Sequence, residues 1–177
     1  MTVVALKAWF EEDPSVHKQI YVAKEQSCID LHHGLMKAFH LTMIKTFFFY
    51  ICDKEGRRLQ RIVLNNPNKE ENDLSMRDTL MKKLFKSLDD RLIYECNTKY
   101  YHWIFHLQPF ELNQRKEPGR SYPHWIDSSG RTLMEAKPML NESFFEGEYE
   151  YVDPKEEFGE DFEELDLGEE EMEDFAQ

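Results

Sequence analysis

The sequence predicts an α+β domain: a mixed, mainly antiparallel sheet of five or six strands with two packed helices, followed by an acidic C-terminal extension. Three observations carry that expectation. Segments of period two alternate with segments of helical period, in the order strand-strand-helix-strand-strand-helix-strand. Hydrophobic residues make up 41% of the chain and aromatics 14%, enough to fill the core of one domain. Charge divides unevenly: residues 142–177 hold 17 of the 35 acidic residues and a single basic one, Lys155. They carry −16, which leaves +3 on residues 1–141. The expected organisation is one α+β domain over 1–141, its last part (112–141) a Gly-, Pro- and Ser-rich surface wrap, and a tail over 142–177.

The elements follow in order. Val4, Leu6, Ala8 and Phe10 alternate with Val3, Ala5, Lys7 and Trp9, which is strand periodicity, and "EEDPS" ends the strand in a turn. In "VHKQIYVAK", Ile20 and Val22 share one face, and His17, Gln19 and Tyr21 the other; the short connection favours an antiparallel hairpin. Ser27 is placed to cap a helix whose apolar arc holds Cys28, Leu31, Leu35, Ala38 and Phe39. Gly34 costs that helix about 1 kcal/mol relative to alanine, so packing must hold it together. "IKTFFFYICDKEGRRLQRIVL" reads as a second hairpin turning at Lys54-Glu55-Gly56, its first arm apolar on both faces like a strand covered from both sides. A second helix is expected from Ser75 or Asp78 to Ser87, buried along Leu80, Leu84 and Leu88. Its lysines, Lys82, Lys83 and Lys86, come late, where the macrodipole favours cations. "RLIYECN" and "YYHWIFHLQPF" complete the body with one or two strands, which makes the expected topology β-grasp-like.

Compartment follows from what the chain lacks. Cys28, Cys52 and Cys96 are odd in number and have no C-x-x-C spacing, so neither a disulfide framework nor a structural zinc site is expected. Three reduced, mostly buried thiols suit the cytoplasm. "MTVVALKAWFEED" does not read as a signal peptide, and "FFFYIC" falls far short of the ~20 apolar residues that span a bilayer. No phosphate-cradling glycine loop, G-x-S-x-G elbow or H-E-x-x-H helix is present, so no cofactor is expected and a non-enzymatic role leads.

Candidate site residues are few. On the strand that follows Tyr100, Tyr101 and Trp103 share the apolar face, while His102 and His106 share the other, two pleats and roughly 13 Å apart. One metal cannot bind both directly. His32 falls inside the apolar arc of the first helix; it is either a hydrogen-bonded core residue or a neutral ligand or base at a pocket edge. Arg57, Arg58 and Arg61 form a candidate basic patch on the second hairpin. In the tail, Phe158, Phe162 and Leu165 fit one helical face and are candidate anchors among carboxylates.

"SCIDLHHGLMKAF", an aromatic strand, a hairpin, "DTLMKKLF" and "LIYECN…YYHWIFHLQ" together resemble the plasmid pRiA4b ORF-3-like protein family, whose members are also described as insertion-element passengers and "TnpR-like". The resemblance covers about residues 3–138, with an acidic tail like that of short members. Leu31-His32 and Phe39 match the Leu-His and Ala-Phe positions of the family's first helix, and Pro123 and Gly130 its late Pro…Gly segment. The family's usual Tyr-x-Tyr-Asp-Phe-Gly-Asp stretch is reduced here to "YECNTKYY", and no serine-recombinase pattern accompanies it. The resemblance implies a fold and leaves the chemistry open.

The leading expectation is a cytoplasmic binding or accessory module, its aromatic sheet surface and acidic tail contacting a protein partner or the tail contacting its own basic surface. The alternative is a nucleic-acid-associated protein of mobile-element origin whose tail mimics DNA or autoinhibits. A third reading, a metal-dependent or histidine-based hydrolase, requires His32 and His102 or His106 to converge with a carboxylate or thiol in one cleft. No membrane contact is expected, and oligomeric state is not readable.

Overall fold

Period-two patterning does produce strands, but more of them than the sequence suggests. The computed structural model describes residues 1–64, 70, 72–127 and 132–133, all within the unit Met1–Pro138. In chain order the elements are β1 (Thr2–Phe10), β2 (His17–Ala23), α1 (Cys28–Ala38), β3 (Thr46–Cys52), β4 (Arg58–Val63), β5 (Leu74–Ser75), α2 (Met81–Leu84), β6 (Arg91–Asn97), β7 (His102–Arg115) and β8 (His124–Asp127). They form one eight-stranded sheet in the order β5-β4-β3-β6-β7-β1-β2-β8. Neighbours are antiparallel apart from β4 and β5, which are parallel.

This overturns the expected sheet of five or six strands with two packed helices and a β-grasp-like topology. The second helix shrinks to Met81–Leu84 because its backbone is claimed from elsewhere. Met81 and Lys82 donate their N–H groups to the carbonyls of Gln26 and Lys24, Cys28 donates to Thr79, and Leu74–Ser75 pairs with β4 as a strand. Leu88, expected in the buried stripe, is 49% exposed. The stretch 112–141, expected as a wrap, begins inside β7 and supplies β8, which pairs with β2. That strand is only four residues long, too short to stand out from its turn-rich flanks.

The sheet has an inner and an outer face. Val4, Leu6, Ala8 and Phe10 of β1 are buried inward with Ile20, Val22, Phe49, Ile62, Leu92, Tyr94, Phe105 and Leu107. Helix α1 covers this layer with Cys28, Leu31, Leu35 and Ala38, and Met81 of α2 joins the same core. Each fully buried large side chain of this kind contributes about 1.5–3 kcal/mol.

Local signals set the ends of α1. Asp30, at the third helical position, accepts the Ser27 backbone N–H at 2.8 Å and its hydroxyl at 2.9 Å. At the C-terminus Leu41 N–H reaches the Met36 carbonyl (2.9 Å) and His40 N–H the Lys37 carbonyl (3.4 Å), the paired bonds of a Schellman motif, with His40 at φ 52°. Gly34 is explained by the residue just before β8: a Cβ there would lie 2.8 Å from Pro123 Cβ, so only glycine lets the helix approach this closely.

Candidate binding surface on the outer face of the sheet

Both helices lie on the inner face, so among the described residues no helix covers the outer one. Pairing registers place His17, Trp9, His106, Ile93, Tyr50 and Arg61 in one row across β2, β1, β7, β6, β3 and β4. Five strand spacings make this row about 24 Å long. A second row sets Ile104 beside Glu95 and Phe48. Trp9 is half-buried, as are Phe48 and Tyr50 of β3, so among the described residues the outer side of β3 is partly covered.

The side chains of this face are tied to one another. Trp9 stacks on His106 at 5.4 Å and 16°, with Lys7 Nζ 5.9 Å from its ring, and His106 Nε2 lies 2.9 Å from Glu11 Oε1. Arg58 lies over Tyr50 at 4.2 Å and Arg61 over Phe48 at 5.4 Å. Arg61 donates from Nε and Nη2 to the two oxygens of Asp73 (3.1 and 2.7 Å), which raises the guanidinium's pKa further. Glu95 takes His102 Nε2 on one oxygen (2.7 Å) and Arg58 Nη1 on the other (2.6 Å). The second contact is one of charge, since that buried oxygen accepts no aligned hydrogen bond. Burial and the Glu95 charge raise the Tyr50 pKa. Beside this cluster, Tyr50, Arg58, Leu59, Gln60, Arg61, Glu70, Asn72 and Asp73 line an open cleft of about 400 Å³.

The structure separates the residues that the sequence nominates. His32 is on the inner face, 4% exposed, with Nδ1 2.8 Å from Tyr94 Oη and its ring stacked on Phe47 at 3.7 Å. Burial, and then the charge of His33, press its pKa down to about 4. His102 and His106 lie across the sheet from it, each on its own carboxylate, so the convergence that a hydrolase needs is not found. Among the described residues no group of His, Cys, Asp and Glu gathers to hold a metal. Trp103 is a core residue, 3% exposed and edge-on to Phe10, and Tyr101 stacks on it at 4.9 Å; neither belongs to the outer face.

Arg57, Arg58 and Arg61 are all paired with carboxylates: Arg57 with Asp53 (2.5 Å) and Glu55, Arg58 with Glu95, and Arg61 with Asp73. The three cysteines are free thiols and buried; desolvation lifts Cys28 and Cys96 to about 12. Phe158, Phe162, Leu165 and Gly130 lie outside the described residues. No described helix is long and apolar enough to cross a membrane. Sequence reading missed Glu95, whose place between Ile93 and Asn97 on the outward alternation was the available signal.

No family model and no curated protein matches this chain. Among solved structures it is similar to the crystal structure of MM3350, a protein of unknown function from Methanosarcina mazei Go1, at 18% identity over 92% of each chain and a TM-score of 0.58. At that identity the likeness is one of fold.

Proposed function

We propose that this protein is a non-enzymatic cytoplasmic binding module that holds a protein partner on the outer face of its sheet. The observation behind this reading is the row from His17 to Arg61: half-buried aromatic and imidazole rings, pre-ordered by stacking and ion pairs, with no described helix over them. Ordered rings lose little entropy on contact, and Trp, Tyr and Arg are the residues that dominate binding energy at interfaces. A nucleic-acid backbone would meet arginines already matched to carboxylates, so protein contact is the better reading. Three buried free thiols suit a reducing compartment. The acidic sequence of 142–177 is a second contact element in this proposal. Membership of the ORF-3-like family remains part of it too, its Leu-His and Ala-Phe positions falling here on core residues, Leu31, His32, Ala38 and Phe39.

The test uses the full-length chain with its Trp9→Ala and Tyr50→Ala variants. A protein retained from cell extract by the unaltered chain is purified and titrated against all three. At least tenfold weaker binding to each variant is expected, since truncating an interface anchor costs about 1–2 kcal/mol or more. Equal affinity for all three sinks the reading.

A further inference from the structure

We propose that the corner formed by Tyr21, Phe110 and Glu111 on the outer face is a cation-binding subsite, and that it seats a lysine or arginine side chain of the protein partner. That the cation comes from a protein rests on the outer-face reading above; the site itself rests on how β7 meets β1 and β2.

A β-bulge makes the corner. Leu6 pairs with Pro109 and Ala5 with Glu111, so Phe110 is the extra residue between them. Pro109 has no N–H to give to a ladder, which suits that break. A third row then crosses the outer face through His124, Tyr21, Ala5 and Glu111. Ala5 carries only a methyl group, and the rings of Phe110 and Tyr21 meet across its strand at 6.3 Å and 87°. The Tyr21 hydroxyl donates to Gln19 Oε1 at 2.9 Å, and the His124 ring lies 5.9 Å from the phenol, so the phenol is held in place. Phe110 is 45% exposed, which leaves the corner open to solvent.

Rings at right angles present a face of each to the same corner, and the negative face of an aromatic ring attracts a cation. A cation seated there would lie about 4.5 Å from both centroids, inside the roughly 6 Å reach of the interaction. Glu111 supplies charge beside the rings: it is exposed and forms no ion pair among the described residues. The neighbouring cations are engaged elsewhere, Arg120 with Glu117 at 2.7 Å, Lys24 with Asn113 at 2.6 Å and Lys7 against Trp9. Burial first, and then the charges of Glu111 and Glu117, raise the Tyr21 pKa against the opposing pull of Arg120, so the field at this ring is negative. An anion would be repelled by Glu111, and an apolar side chain would cover that carboxylate with nothing to pair it. The formal charge of −13 on the whole chain also draws a basic partner.

The experiment follows the Tyr21 and Phe110 ring signals of the full-length protein by ¹³C NMR at neutral pH and physiological salt. Hexalysine, hexaglutamate and tetramethylammonium are titrated separately. Residues 142–177 are themselves acidic, so binding is read at these two rings and not from total peptide bound. Saturable shifts of both rings with hexalysine are expected, while the core ring of Trp103 stays still. Two variants test the parts: Phe110→Leu keeps the bulk and loses the ring face, and Glu111→Gln keeps the shape and loses the charge. Each should weaken the hexalysine affinity read at Tyr21 about threefold, the size of an exposed cation–π contact. Both positions are exposed, so neither change touches the core. Absence of saturable shifts with hexalysine, equal affinity in all three proteins, or tighter binding of hexaglutamate overturns the site. Tetramethylammonium binding more tightly than hexalysine overturns the assignment to a polypeptide. The Trp9→Ala comparison does not depend on this corner, so the outer face can stand where the cation site fails.

Discussion

His32 is kept neutral by the helix and sheet that enclose it, and its protonation is linked to folding. An unfolded imidazole titrates near 6.5, whereas the folded one does so at about 4. The unfolded chain therefore takes up this proton first as pH falls, and stability drains away between 6.5 and 4. By linkage the loss reaches about 2 kcal/mol at pH 4.5. Urea unfolding at pH 7 and 4.5 checks it: His32→Gln should lower stability at pH 7 by about 1 kcal/mol through the lost His32–Tyr94 hydrogen bond, yet show a smaller fall between the two pH values. An equal fall in both proteins would show that His32 is not the titrating group. His40 makes the opposite kind of prediction. It holds φ 52° at the helix end, a conformation that costs a residue with a Cβ roughly 1 kcal/mol. His40→Gly should raise the unfolding free energy read from urea melts by that amount, since the Leu41 and His40 backbone bonds remain.

At the scale of elements, α1 and β8 are fitted to each other at one point. Gly34→Ala gains about 1 kcal/mol in helix propensity, but its methyl meets the Pro123 ring at 2.8 Å and 3.1 Å. Overpacking against a ring that cannot swing away costs about 1–3 kcal/mol. Net destabilisation is expected in thermal melts, and a stabilised variant would mean that helix and strand yield cheaply. The same pair shows what the sequence discloses. The arc Cys28–Leu31–Leu35–Ala38 was legible because one helix face carries it, and β1 and β2 were legible because strict alternation marks their faces. Gly34 announced only a need for packing, not its partner. α2 was misread because Leu80, Leu84 and Leu88 satisfy a helical wheel, while the bonds that undo it come from Lys24 and Gln26, more than fifty residues away. Glu95, His102 and Arg58 are scattered in sequence, and only the register of β3, β4, β6 and β7 brings them together.

For the molecule as a whole, the contrast between the two faces governs reactivity. All three thiols are buried, and desolvation opposes ionisation of each. Thiolate is the reacting form, so labelling by a disulfide reagent should be negligible in the native protein and should rise only through the global unfolding transition. Fast labelling of one cysteine well below that transition would reveal a local opening beneath α1 or at β3. The strand order has a different consequence, for synthesis. β1 lies between β2 and β7, and β2 between β1 and β8, so the first hairpin made is completed by the last two described strands. A nascent chain leaving the ribosome N-terminus first must carry β1 and β2 with two unfilled edges until Asp127 emerges. Open strand edges of that kind are what aggregation templates on and what chaperones shield during synthesis.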